Sequence, residues 1–270
     1  MKIAIAGAAG RMGQTLIKLI AATKGCSLAG AIEGTGSNAL GRDAGEVAGM
    51  GPDAKSVRGV KIVSDSAAAI GAADVVIDFT VPAATVAHAR IAADKGVAMV
   101  IGTTGLDPAQ TALIHEAAKK VPIMWAANMA LGVNILMALV EKTAAMLDPA
   151  YDIEILEMHH RHKIDAPSGT ALALGRSAAA GRKVELEKVW RRSRDGHTGA
   201  RPTGEIGFAT LRGGEEVGVH TVMFASAGER LELTHRSFSR EGYAMGAVMA
   251  AKWLEGKKPG LYGMKDVLGL

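Results

Sequence analysis

The stretch Lys2-Ile3-Ala4-Ile5-Ala6-Gly7-Ala8-Ala9-Gly10-Arg11-Met12-Gly13 decides the fold. Residues 2–6 read as a short strand. An amphipathic helical pattern follows the glycines to about Lys24, where Gly25 supplies a stop signal. Gly7, Gly10 and Gly13 thus spell G-x-x-G-x-x-G between a strand and a helix. The first glycine permits a tight turn, the second lets backbone approach a pyrophosphate, and the third lets helix and sheet pack closely. Free N–H groups at the helix start then bind the anion. A glycine-rich turn without a ligand has the same spelling, so context must decide. Residues 27–33 read as a second strand, and Glu33 ends it twenty residues past Gly13. An acid there accepts hydrogen bonds from the adenosine ribose hydroxyls of a dinucleotide.

Further along, residues 75–79, 97–101 and 123–126 are short apolar runs of strand length. Asp107-Pro108 reads as an N-cap with proline in the first helical position, opening a helix to about Lys120. Strands alternating with helices imply a parallel sheet with right-handed crossovers. Two loops leave the carboxyl ends of these strands: Gly102-Thr103-Thr104-Gly105 and Ala126-Ala127-Asn128-Met129. Ligands of open α/β sheets bind at that edge, so both loops are expected to face the nicotinamide half of the dinucleotide.

The second half reads differently. A helix is expected over 132–147 and a strand over 152–158, followed by His159-His160-Arg161-His162-Lys163. Pro167-Ser168-Gly169-Thr170 then opens another helix. Residues 181–214 are charged, glycine-rich and read as irregular. Residues 217–224 and 230–235 alternate in period two around Ser226-Ala227-Gly228, a hairpin signal, and a last helix runs over about 243–254. The fold class is therefore α/β: a Rossmann-like dinucleotide-binding domain over 1–130, with 241–270 packing back on it, plus a second α+β domain over 131–240 with an open, mostly antiparallel sheet.

Composition supports a globular two-domain protein. The 270 residues are 49% hydrophobic, enough for sizeable cores. The formal charge of +4 permits anionic partners without choosing among them. The single cysteine, Cys26, excludes an intramolecular disulfide framework and reads as a small buried or half-buried apolar residue. No apolar run reaches membrane-spanning length and no leader pattern opens the chain, so the expected location is the cytoplasm.

His159, His160, His162 and Lys163 admit three readings: a metal site, a solvated basic loop, or a site that delivers protons and binds carboxylates. No third-ligand motif accompanies the histidines, which argues against metal. The chemistry of the neighbouring residues favours the third reading. Imidazole titrates near neutrality, Lys163 is a compact cation, and Ser168, Gly169 and Thr170 present hydroxyls and helix-start N–H groups to an anion. Plain helix capping by Ser168 is compatible with this. His88 and His115 read as surface histidines, and His220 and His235 as packing or interface residues. The methionines read as core filler.

Taken together, Gly7 to Gly13, Asp78-Phe79-Thr80, Gly102-Thr103-Thr104-Gly105, Ala126-Ala127-Asn128 and the run from Glu157 through His159-His160-Arg161-His162-Lys163 to Ala171 closely resemble the dihydrodipicolinate reductase family. The resemblance extends over the whole chain. It implies an enzyme of lysine and diaminopimelate biosynthesis that reduces a cyclic unsaturated dicarboxylate to tetrahydrodipicolinate with NADH or NADPH. By position it implies His159 as general acid/base and Lys163 as proton donor. His160, Ser168, Gly169, Thr170 and Arg240 become substrate contacts. Gly7, Ala8, Ala9, Gly10, Arg11, Met12 and Glu33 become cofactor contacts, with Gly102, Thr103, Thr104, Ala126, Ala127, Asn128 and Met129. It also implies a homotetramer built through the second domain's sheet.

Two positions depart from members that favour NADPH. Gly34-Thr35 follows Glu33 where an arginine is common, and Val81 precedes Pro82 where another is. Both losses weaken recognition of a 2′-phosphate, with Arg11 a possible substitute, so dual cofactor use leaning towards NADH is expected. The rivals are another nicotinamide oxidoreductase of amino-acid metabolism and a non-catalytic dinucleotide-binding or nucleic-acid-binding protein. The His-His…Lys segment followed by Ser-Gly-Thr opposes the first. An aromatic content of 4% and no helix-turn-helix or RNA-binding signature oppose a nucleic-acid partner.

Overall fold

A computed structural model describes all of residues 1–270. In chain order the elements are β1 (Lys2–Ala6), α1 (Arg11–Ala22), β2 (Ser27–Ile32), α2 (Ala44–Val47), β3 (Ile62–Val63), α3 (Ser66–Gly71), β4 (Val75–Asp78), α4 (Pro82–Lys95), β5 (Ala98–Ile101), α5 (Pro108–Ala118) and β6 (Pro122–Trp125). Next come α6 (Leu131–Met146), β7 (Asp152–His159), α7 (Gly169–Arg182), α8 (Leu186–Val189), β8 (Trp190–Arg191), β9 (Ile206–Arg212), β10 (Gly218–Ala225), β11 (Arg230–Ser237), α9 (Glu241–Trp253), β12 (Gly260–Tyr262) and α10 (Met264–Leu268). The chain divides into two compact units, one of residues 1–131 with 240–270 and one of residues 132–239.

The first unit holds a seven-stranded parallel sheet in the order β12-β6-β5-β4-β1-β2-β3. Its strands are apolar on both faces because helices cover both. Ile3 and Ile5 enter one core with Leu16, Ile20 and Ala247, while Ala4 and Ala6 enter the other with Ala89 and Ile114. Strand order reverses between β1 and β4, the switch point at which such sheets bind ligands. α5 starts as the sequence foretells, with a full capping box between Asp107 and Gln110. Cys26 is buried. The edge strand β12 returns from the carboxyl-terminal segment to pair with β6.

The second unit holds a five-stranded sheet in the order β11-β10-β7-β9-β8. β10 pairs antiparallel with β7 and β11, whereas β9 pairs parallel with β7 and β8. One face packs Ile153, Ile155, Phe208, Val222 and Phe224 against α6 and α7 through Val140, Leu174 and Ala178.

The fold corrects two expectations. Residues 181–214 are not wholly irregular: they contain α8, β8 and the interior strand β9. Gly207 disguises β9, yet a Cβ there would sit 2.0 Å from the Glu154 carboxylate. His88 is not a surface histidine. It is 6% exposed, because its ring is drawn in by the buried Asp78 carboxylate. No helix is long and apolar enough to cross a membrane.

Candidate active site

In the first unit the glycine loop has the geometry its spelling requires. Gly7 has φ +80°, and a Cβ there would lie 2.8 Å from the Phe79 carbonyl oxygen. A Cβ on Gly13 would lie 2.1 Å from the Gly7 carbonyl oxygen, so the helix meets the strand backbone directly. Gly10 is the N-cap of α1 without a side-chain cap bond, and no acidic residue occupies the first turn. The positive end of α1 is thus left for an anion. Glu33 Oε1 accepts the Ala9 N–H at 2.8 Å, which brings the acid at the end of β2 to the glycine loop. Arg11 is exposed at the first helical position. These features fit a dinucleotide: loop 7–12 for the pyrophosphate and Glu33 for the ribose.

The loops after β4 and β5 are held by one buried carboxylate. Asp78 Oδ1 accepts hydrogen bonds from the hydroxyls of Thr80, Thr85 and Thr103 at 2.7 to 3.0 Å and from the Thr80 N–H at 3.1 Å. Asp78 Oδ2 lies 2.6 Å from His88 Nδ1, and Ser66 Oγ lies 3.1 Å from His88 Nε2. The Thr103 hydroxyl is therefore turned into the protein, and its carbonyl accepts from Trp125 Nε1 at 3.2 Å. Gly102 is half-buried against the Phe79 ring and Thr104 is exposed. Ala126, Ala127 and Asn128 are at least partly exposed, while the Met129 side chain belongs to the core. Only backbone is left for Met129 to offer a ligand.

In the second unit Glu157 and His159 alternate along β7 and both face inward, 1% and 9% exposed. Glu157 Oε2 lies 2.5 Å from His159 Nδ1. Arg212, the register partner of His159 on β9, donates Nη1 and Nη2 to the two Glu157 oxygens at 2.8 and 2.9 Å. The Ser168 N–H donates to Glu157 Oε1 at 3.0 Å. His220, opposite Glu157 on β10, lies 3.0 Å from Ser168 Oγ through Nε2, and its ring meets that of His159 edge-on with centroids 5.0 Å apart. Ser168 Oγ caps α7 by accepting the Ala171 N–H. Lys163 Nζ pairs with Asp165 at 2.8 Å.

These contacts set the electrostatics. Burial alone would raise the Glu157 carboxyl, but Arg212, His159 and the Ser168 N–H together hold it below its ordinary range. Burial lowers His159, while its bond to Glu157 pulls the other way. Burial pushes His220 down to about 4, so it is neutral at pH 7. Three buried polar atoms have no partner: His160 Nδ1, Arg212 Nε and His235 Nδ1. His160 follows His159 in the chain and Arg212 is its register partner, whereas His235 lies on β11 with its ring against Gly132. No group of three His, Cys, Asp or Glu side chains is disposed to hold a metal ion.

The structure thus joins His159 and Ser168 through Glu157, leaves a His160 nitrogen unpaired, and gives Lys163 an acidic partner. Gly169 is exposed and Thr170 half-buried in the first turn of α7. Arg240 belongs to the first unit, where it is the N-cap of α9. Sequence reading alone misses Glu157, Arg212 and His220. The spacing of Glu157 and His159 carries a signal, since strand residues two apart share a face. Arg212 and His220 come from strands whose register no local pattern reveals.

A switch-point glycine loop with an acid at the end of β2, joined to a mixed-sheet unit bearing an acid–base cluster, defines a two-domain nicotinamide-dependent oxidoreductase. Residues 1–129 match the family described as "Dihydrodipicolinate reductase, N-terminus" and residues 132–268 the one described as "Dihydrodipicolinate reductase, C-terminus". The 4-hydroxy-tetrahydrodipicolinate reductase of Afipia carboxidovorans is 54% identical over all of this chain and 97% of its own. The enzyme of the same name from Rhodopseudomonas palustris strain BisB5 is 53% identical over all of this chain and 98% of its own. Among solved structures, a dipicolinate-bound dihydrodipicolinate reductase from Paenisporosarcina matches with a TM-score of 0.76 at 24% identity, covering 98% of each chain. The chain belongs to the dihydrodipicolinate reductase family and is an NAD(P)H-dependent oxidoreductase.

Proposed function

We propose that the protein reduces 4-hydroxy-tetrahydrodipicolinate to tetrahydrodipicolinate in lysine and diaminopimelate biosynthesis, with His159 delivering the proton that accompanies hydride addition. The observation that carries the residue assignment is the His159–Glu157–Arg212–Ser168 cluster: an inward imidazole, oriented at Nδ1, beside the capped start of a helix suited to a carboxylate. A bound reduced nicotinamide supplies the hydride. Hydride addition to an unsaturated ring leaves enamine-like charge at the neighbouring carbon, and a positioned imidazolium protonates it. Lys163 assists as the acid for loss of the ring hydroxyl and serves as a cationic partner for a substrate carboxylate. The start of α7 at Ser168, Gly169 and Thr170, with His160, holds the substrate carboxylates.

For the cofactor we propose the loop Gly7, Ala8, Ala9, Gly10, Arg11, Met12 with Glu33, and the turns at Gly102, Thr103, Thr104 and Ala126, Ala127, Asn128, Met129. Both NADH and NADPH serve, with NADH favoured, because Gly34-Thr35 after Glu33 provides no cation for a 2′-phosphate. The carboxylate of Glu33 further opposes one. The face of the second sheet opposite its core carries Leu156, Met158, Leu211, Val219 and Met223. Those apolar side chains support a homotetramer assembled through that sheet. The expected compartment is the cytoplasm.

The test is a coupled assay. Pyruvate and aspartate semialdehyde are fed through the preceding synthase, and nicotinamide absorbance is followed with each cofactor. Oxidation of NADH dependent on both feeds supports the reading, and its absence refutes it. A kcat/KM favouring NADPH by about tenfold, or about 1.4 kcal/mol, would overturn the cofactor preference.

A further inference from the structure

The buried carboxylate of Glu157 stands where four donors meet. Arg212 occupies both oxygens, the Ser168 N–H takes Oε1, and His159 Nδ1 reaches Oε2. Glu157 is 1% exposed, so bulk solvent does not reach it. An ionised carboxylate only accepts hydrogen bonds, so His159 Nδ1 must carry the proton in this bond. That leaves Nε2 as the nitrogen that exchanges a proton with anything else.

We propose that Glu157 is a positioning residue for the reduction: it fixes His159 in the Nδ1–H tautomer, turns Nε2 away from the carboxylate on the side of Gly218, and ties that ring to the substrate-binding start of α7 through the Ser168 N–H. The proposal rests on His159 being the proton donor. Arg212 is the second part of the device. Its guanidinium spans both Glu157 oxygens and keeps the carboxylate from taking the imidazole proton itself. Without Arg212 a proton leaving His159 Nδ1 would find a ready base. With it the pair acts as an orienter, as in other acid–base sites where a buried carboxylate holds the imidazole without becoming protonated.

The environment of His159 makes the roles separable. Burial lowers its proton affinity most. Glu157 on its own strand then raises it, and Lys163 in the following turn and Arg212 on β9 lower it. His220 on β10 faces it from the other side and stays neutral. A general acid is active while protonated, so turnover falls as pH rises through the His159 pKa. Removing the Glu157 charge must move that alkaline limb to lower pH, and removing the Arg212 charge must move it to higher pH.

Glu157→Gln is nearly isosteric, but its amide has one acceptor oxygen for four donors. Its NH₂ must face either the Ser168 and Arg212 donors or His159 Nδ1, and the second choice forces the proton onto Nε2. The experiment combines kinetics with ¹⁵N NMR of the His159 ring in folded protein of unchanged secondary structure. Expected for Glu157→Gln are a kcat loss of about 10²–10³-fold, an alkaline limb about one pH unit lower, an unchanged NADH KM and a loss of the Nδ1–H signal. Glu157→Asp, which keeps the charge, should restore the limb and the tautomer. Arg212→Met should move the limb upward by about one unit. A Glu157→Gln enzyme that loses activity with limb and tautomer unmoved would make Glu157 a packing residue and overturn the proposal, as would unchanged kcat. Should Glu157→Gln not fold, the Arg212→Met shift decides: no upward movement overturns it. If His159→Ala keeps turnover, the proton-donor reading fails instead, while the ring tautomer still reports on Glu157.

Discussion

In the first unit, the polar cluster at the carboxyl end of the sheet is one carboxylate, Asp78, surrounded by three threonine hydroxyls and a histidine. In the second unit the corresponding anchor is also one buried carboxylate, Glu157, but its partners are a guanidinium, an imidazole and a backbone N–H. The first arrangement fixes loops so that backbone can meet a ligand. The second fixes a titratable ring so that a proton can be moved. Buried carboxylates serve both ends, and the partner chemistry decides which. Neighbouring hydroxyls give rigidity, whereas a neighbouring imidazole held against a cation gives an oriented acid.

The sharpest contrast comes from removing the ring itself. His159→Ala should lower kcat by about 10²–10⁴-fold, the usual range for a general acid, with little change in NADH affinity. Turnover within about threefold of wild type, measured by the coupled assay at saturating substrate, would place the acid elsewhere.

The Asp78 cluster should answer in stability rather than in chemistry. Asp78→Ala leaves three hydroxyls, a backbone N–H and His88 without their shared acceptor, at a cost of about 3–5 kcal/mol. Hydrogen exchange should show the loss at the amides of β4 and β5, with those of β7 and β10 unaffected. Equal loss in both sheets would mean that the two anchors are not independent.

A pH scan sharpens the same contrast. His220 is held neutral in the fold, with its pKa down at about 4, against about 6.5 when exposed. The unfolded chain therefore binds the extra proton first. The resulting stabilisation of neutral His220 is lost progressively as pH falls from about 6.5 to about 4, by up to about 3 kcal/mol. Exchange protection of β7 and β10 amides should drop over that window, and His220→Gln should flatten the drop. The same slope in the variant would assign the effect to another group.

The two anchors also differ in how far they can be read ahead. The glycine loop, Glu33, the strand–helix alternation and the capped start of α5 are local, because turns, caps and periodicity act within a few residues of chain. They lie in the structure where the local pattern puts them, β2 ending one residue before Glu33. His159 and the Ser168 cap are legible for the same reason. Arg212 and His220 are not, since they reach Glu157 through the pairing of β7 with β9 and β10. β9 is hidden further by Gly207 and by the charged run before it. His88 is misread because its partner Asp78 lies on another element, and a histidine in a helix looks solvated until such a partner is seen.

The division of labour between the units is the central claim, and paired calorimetry tests it most directly. NADH is titrated into Glu33→Ala and Lys163→Ala, and dipicolinate, a stable planar dicarboxylate, is titrated into each at saturating NADH. Glu33→Ala should weaken NADH by about tenfold, about 1.4 kcal/mol, and leave dipicolinate unchanged. Lys163→Ala should do the reverse. If Glu33→Ala leaves NADH binding intact, or if Lys163→Ala weakens NADH while sparing dipicolinate, the assignment of cofactor to the first unit and dicarboxylate to the second is wrong.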